Sequence, residues 1–151
     1  MSAATAPAAK QAMLTVFGAA AGLTGVTLSW DQPTQESDWT GEMIWLGDVE
    51  GSEDWGTLGA QRRQETYTVG VGVYVEQWGD DPQTVETRLW TVWNAATEAL
   101  RNDLRSQPST LRSAGIRQYE TIEFRQRTGP ATPEKWGAFL NGTVQFIASN
   151  V

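Results

Sequence analysis

The sequence contains no cysteine and no histidine. Those two absences remove disulfides, thiolate nucleophiles, thiolate or imidazole metal sites, and every catalytic dyad or triad built on imidazole. The lack of cysteine is compatible with synthesis in a reducing cytosol. Long apolar runs are missing as well. The alanine-rich stretch from Ser2 to Ala21 has no basic leader and is interrupted by Lys10, Gln11, Thr15 and Gly18. It reads as neither a secretion signal nor a membrane span, and no membrane association is expected. Basic residues are scarce: 11 Lys and Arg against 18 Asp and Glu leave a net charge of −7. Such a chain is repelled by nucleic-acid phosphates rather than drawn to them. What remains is a globular composition, 40% hydrophobic over 151 residues, a length that suits one domain with an ordinary core. A single domain over 1–151 is expected.

Helical spacing of Ala9, Met13, Val16, Phe17 and Ala20 predicts an amphipathic helix from about Pro7 to Ala21, punctuated by Gly22 and Gly25. Val26 to Trp30 alternates as a short strand, Asp31 to Gly41 reads as a loop, and Glu42 to Val49 returns to a strand. Glu50 to Ala60 reads as an acidic, glycine-containing connection. The clearest strand runs from Glu65 to Gln77: Tyr67, Val69, Val71, Val73 and Val75 make one apolar face, and the other is nearly bare. On that bare face Gly70 and Gly72 point either to close approach by another backbone or helix, or to a bend in a twisted sheet.

Asp80-Asp81-Pro82 opens a second helix, because Asp81 can cap it, Pro82 suits the first helical position, and both carboxylates lie by the positive end of the dipole. Val85, Leu89, Val92, Ala96 and Ala99 line its buried side to about Asn102, and Asp103, next on that stripe, should end the burial. A loop from Ser106 holds Pro108 and Gly115. Ile116 to Arg127 then reads as a strand with Tyr119, Ile122 and Phe124 as apolar members, Gly129 to Pro133 as a turn, and Trp136 to Ala148 as the last strand. This order predicts the α+β class: a mostly antiparallel sheet of four to five strands covered by two helices, with a long β-hairpin or loop region.

The candidate chemistry is thin. The carboxylate pairs Asp80-Asp81, Glu53-Asp54 and Glu36/Asp38 are explained by a helix cap and by solvated loops, and the spacing of Asp48, Glu50, Glu53 and Asp54 lacks the EF-hand pattern. Neither glycine cluster fits a phosphate-binding fingerprint. No catalytic, cofactor-binding or metal-ligating residue is assigned, and the chain is not expected to be an enzyme. Eight tryptophans are many for this length. Trp39 and Trp55 lie in the acidic segments, where they would serve as sugar-stacking platforms or interface anchors, or fold back onto their own sheet. A carbohydrate-binding module is therefore the competing reading from another class.

Charge is segregated along the chain. Residues 31–60 hold eight acids and no base, whereas residues 61–127 hold nine of each. The dibasic pair Arg62-Arg63 follows the acidic segment directly. A surface of unpaired acids and another carrying Arg62, Arg63, Arg112, Arg117, Arg125 and Arg127 are complementary between copies of one chain, and a head-to-tail contact between two patches closes into a ring when the rotation permits.

The N-terminal helix, the proline-bearing loop after the first strand, Glu42-Met43-Ile44-Trp45-Leu46-Gly47-Asp48, Gln61-Arg62-Arg63-Gln64-Glu65-Thr66-Tyr67-Thr68-Val69 and the helix opened by Asp-Pro together resemble the tail terminator (tail-completion) proteins of long-tailed siphophages. The resemblance is diffuse over nearly the full chain and carries no single residue across. It implies an α+β subunit assembling as a hexameric ring at the top of the tail tube, located in the virion neck and built in the host cytoplasm. Its partners would be copies of itself, the tail tube protein and a head-side stopper or connector, with DNA passing through unbound. Another neck protein, such as a head-closure stopper or adaptor, is the nearest alternative. The binding candidates are Trp39, Trp55, Arg62, Arg63, Gly70 and Gly72. In a ring, Asp38, Glu42, Glu50 and Glu53 are placed on the channel wall, where like charge would keep DNA from adhering.

Overall fold

Hydrophobic alternation from Tyr67 to Val75 becomes the middle strand of a five-stranded sheet. The structure, a computed structural model, describes residues 6–33, 41–55, 63–78, 81–132 and 135–150. Helix α1 (Ala6–Ala19) passes through a 3-10 turn at Ala21–Leu23, and Gly25, at φ 84°, turns the chain into β1 (Thr27–Ser29). The hairpin strands β2 (Glu42–Trp55) and β3 (Arg63–Trp78) precede α2 (Pro82–Arg105), the short α3 (Thr110–Ser113), and the pair β4 (Ile116–Thr132) and β5 (Lys135–Asn150). The sheet order is β1-β2-β3-β5-β4. All neighbours are antiparallel except β1 and β2, where Thr27 lies beside Met43 in parallel. The fold is α+β, as the element order predicts.

Local chemistry accounts for the helix ends. Asp81 accepts a hydrogen bond from the Gln83 N–H at 3.1 Å and one from the Thr84 hydroxyl, with Pro82 behind it as the first helical residue. Asp103 does more than end the buried stripe of α2. Its carboxylate accepts from Ser109 Oγ and from the N–H groups of Thr110 and Leu111, and so holds the start of α3 against the end of α2. The loop expected from Ser106 therefore contains a helical turn, and α2 itself runs on to Arg105.

Two expected loops are strand. β2 continues through Glu50 to Trp55, pairing Glu50 with Thr68, Glu53 with Glu65 and Trp55 with Arg63. β4 likewise continues through Gly129 to Thr132, pairing Pro130 with Trp136. In both, the backbone ladder with the partner strand supplies what the weak local propensity does not. Pro130 is tolerated because β4 is an edge strand, whose outward N–H positions need no partner.

Met13 and Phe17 of α1, Leu89, Val92 and Leu100 of α2, and Ile44, Leu46, Val69, Val73, Leu140 and Phe146 of the sheet are all buried in one core between the helices and the sheet. Trp93 seats α2 on the sheet at Gly142, where an added Cβ would lie 2.2 Å from the Trp93 ring. The opposite face is not bare, as the alternation alone implied. Met43, Trp45 and Tyr74 form a second buried cluster there, with Phe139 stacked on Trp45 at 5.6 Å between ring centroids. The close approach at Gly72 comes from the Trp45 indole directly across the strand pair, 2.0 Å from where a Cβ would stand. Gly70 lies beside the Gly47 backbone at ordinary contact distance. The close approach expected at Gly72 is thus made by Trp45 of the same subunit.

Gly142→Ala and Gly72→Ala each drive a methyl group into an indole. Each is expected to lower stability by about 1–3 kcal/mol in thermal or urea denaturation. Gly129→Ala, where an added Cβ meets nothing within 4 Å, serves as the control and should melt like the parent chain. Unchanged melting of both tryptophan-facing variants would contradict the packing described.

Candidate functional site

The strand order places β1 and β2 at one border of the sheet and β4 at the other. β1 reaches only as far as the pairing of Ser29 with Trp45. Beyond Leu46, β2 has β3 as its one strand partner among the described residues, and β4 has only β5. Each border therefore presents a row of backbone donors and acceptors.

Side chains on the two borders share a further property. Among the described residues the exposed large hydrophobic side chains are Trp30 at 43%, Val49 at 36% and Phe124 at 56% exposure. Trp30 follows β1, Val49 lies on the open stretch of β2, and Phe124 lies on β4. Trp30 is held in place by Lys10, whose ammonium sits 4.5 Å from the indole centroid and donates to the Gly47 carbonyl at 3.2 Å. Phe124 presents its edge to Trp90 at 5.2 Å between centroids, while the Trp90 indole N–H donates to Gln126 at 2.7 Å. Phe124 was expected as one of the apolar members of its strand. The irregularity between Thr121 and Glu123 and the position of β4 at the rim leave it more than half exposed instead.

The borders differ in charge. Asp31, Asp48 and Glu50 are exposed on the first, beside the buried ammonium of Lys10 at Trp30 and Gly47. Arg117, Arg125 and Arg127 are exposed on the second, together with Glu120 and Glu123. An open concavity of about 760 Å³ crosses the sheet face turned away from the helices, between Asp48 and Glu50 at one side and Arg125 at the other.

Elsewhere the ionic groups fasten elements together. Arg88 of α2 grips Glu42 of β2 with two hydrogen bonds, one through Nε and one through a terminal nitrogen at 2.8 Å. Those bonds raise the Arg88 guanidinium above its ordinary value although burial opposes them. Glu76 accepts from the Gly41 N–H, the Tyr74 hydroxyl and the Lys135 ammonium. Burial alone would raise the Glu76 carboxyl, but these three partners outweigh it and hold the group below the usual glutamate range. Burial also pushes the Tyr119 phenol up, and its hydroxyl donates to the Thr97 carbonyl of α2. Among the described residues no cluster of three acidic side chains is arranged to hold a metal, and no helix is long and apolar enough to cross a membrane.

Of the residues singled out in the sequence, Trp39, Asp38 and Arg62 lie outside the described residues. Trp55 and Arg63 face each other as the last paired positions of the β2–β3 hairpin, and Glu53 pairs with Glu65 just below. Trp55 is thus at a strand end rather than in a loop. Glu42 is engaged by Arg88, which corrects its expectation as an unpaired acid. Glu50 is exposed on the β2 border. Sequence reasoning missed Val49 and Phe124 as surface residues, since only the strand order reveals which strands are outermost.

No family model matches the sequence, and no curated protein matches it. Among solved structures the chain is similar to the PVC sheath/tube terminator of an extracellular contractile injection system in its extended state, with a TM-score of 0.45 and 14% identity. The match covers all of this chain and 58% of that one.

The Glu76 hub ties stability to pH in one direction. A carboxylate whose folded-state value is lowered adds stability that is fully present above the ordinary value near 4.5 and is lost as pH falls through the lowered one. Urea midpoints are therefore expected to fall in that acid range for the parent chain, and to fall less steeply for Glu76→Gln. Equal slopes would contradict a functioning hub.

Proposed function

We propose that the chain is a structural subunit of a phage tail. It caps the tail tube as a ring, ends tube polymerisation and presents its outer surface to the head-side connector. The observation that carries this reading is the division of the exposed apolar and charged side chains between two opposite borders of one sheet, acidic on one and carrying three arginines with two glutamates on the other. Opposite patches on one subunit make a heterologous contact, the kind that generates rings. The sequence resemblance to siphophage tail terminators supports the same role, and a hexamer is the order it implies.

Of the acids first placed on a channel wall, Glu42 is neutralised by Arg88 and Glu50 stands on the border. Contact between neighbouring subunits is accordingly the role assigned to Glu50.

Particle-producing cells lacking this chain are expected to release headless tails with tubes of irregular, excessive length in negative-stain micrographs, and the purified chain should restore a uniform end. Complete particles of normal tail length without it would contradict the proposal. Tryptophan fluorescence should be unmoved by cello- or chito-oligosaccharides; saturable quenching would favour a carbohydrate-binding module instead.

A further inference from the structure

We infer that Phe124 of one copy packs on Trp30 of the next, and that this aromatic contact is the joint between neighbouring subunits. This rests on the ring reading above and names the side chains that would close it. Both residues lie on the helix-covered side of the sheet, Trp30 beneath the Lys10 ammonium of α1 and Phe124 against the Trp90 ring of α2. Trp30 is 43% and Phe124 56% exposed, yet both are already held by these neighbours. Side chains ordered before binding lose less freedom when covered, and large aromatic anchors dominate interfaces.

The two residues also stand at one height. Ser29 shares a row with Trp45, Gly72, Asn141 and Arg125, which crosses all five strands from border to border. Trp30 follows Ser29. Because β4 runs opposite to β1, Phe124, which precedes Arg125, is displaced from that row toward the same end. The next row, of Leu46, Val71, Gly142 and Phe124, gives the same height: Lys10, which holds Trp30, donates to the carbonyl of Gly47, the residue after Leu46. No irregularity of the ladder falls between these two rows.

A closed ring repeats by rotation without a rise, so neighbours whose strands run along its axis meet level. Level copies bring the β4 border of one alongside β1 of the next, antiparallel, with Arg127 and Arg125 in the rows of Thr27 and Ser29. β1 keeps its own place beside β2. Strands about 4.8 Å apart bring the Phe124 and Trp30 rings to roughly 5–7 Å between centroids, the range of aromatic pairs. Above the end of β1 the neighbour's β4 stands two strand spacings, about 10 Å, from β2. Glu120, in the row of Glu50, is thereby kept about a screening length from it.

A head-to-tail joint has a diagnostic that a symmetric one lacks. Trp30→Glu spoils one border and Phe124→Glu the other, so each variant alone should sediment as single chains where the parent forms rings. Mixed in equal amounts they should form a one-to-one dimer and stop, because one intact Phe124 border meets one intact Trp30 border. On purified tail tubes each variant alone should leave the ends uncapped, and where the parent closes only on tube ends this arm decides. Both side chains are exposed, and circular dichroism of each variant should match the parent; if Trp30→Glu unfolds, Trp30→Gln takes its place. Rings or caps formed by either variant alone, or a mixture that stays as single chains where the parent forms rings, overturn the Trp30–Phe124 joint while leaving tube capping intact. A parent chain that neither self-associates nor binds tube ends overturns both.

Discussion

Two indole rings seated on glycine backbone determine what this subunit can cover and what it must leave open. Trp93 lies on Gly142 from the helix side, and Trp45 lies on Gly72 from the other. Both glycines belong to the middle of the sheet, on β5 and β3. Removing the side chain at these two points lets a large aromatic surface come down to the strand itself, which brings α2 close and fills the opposite face without a second layer of helices. Coverage is therefore concentrated at the centre, and the outer strands are left with unpaired backbone edges.

The ionic contacts reinforce that division. Glu42 with Arg88 and Glu76 with Lys135 join elements that are distant in sequence, while Asp103 fastens the start of α3 to the end of α2. Each is at least partly shielded from water, where charge-assisted hydrogen bonds act more strongly than on an open surface. Further exposed charges stand at the borders: Asp31, Asp48 and Glu50 on one, and Arg117, Arg125 and Arg127 with Glu120 and Glu123 on the other. A rigid body with two unlike, partly apolar borders is well suited to joining copies of itself, and unpaired strand edges left without a neighbour would be a liability.

Much of this was legible from local chemistry. The alternation from Tyr67 to Val75 marks a strand because its period is two, and Asp81-Pro82 marks a helix start because cap and proline act within one turn. Asp103 was legible as the end of a buried stripe, though not as the cap of a helix six residues further on. The strand character of Glu50 to Trp55 and of Gly129 to Thr132 was hidden, since it is supplied by partners far along the chain. Segregation of acids from arginines was visible at once. That the two groups occupy opposite borders follows from strand order, which is a long-range property, and so does the exposure of Phe124. The coverage of Gly72 by Trp45 depends on a cross-strand register that no single segment encodes.

The most direct test of the central claim is an electron cryo-microscopy reconstruction of the chain on the end of a tail tube. The account predicts a ring in which each subunit meets its neighbours through the opposite borders of its sheet. A ring in which both borders face solvent, with neighbours meeting through their helices, would contradict it.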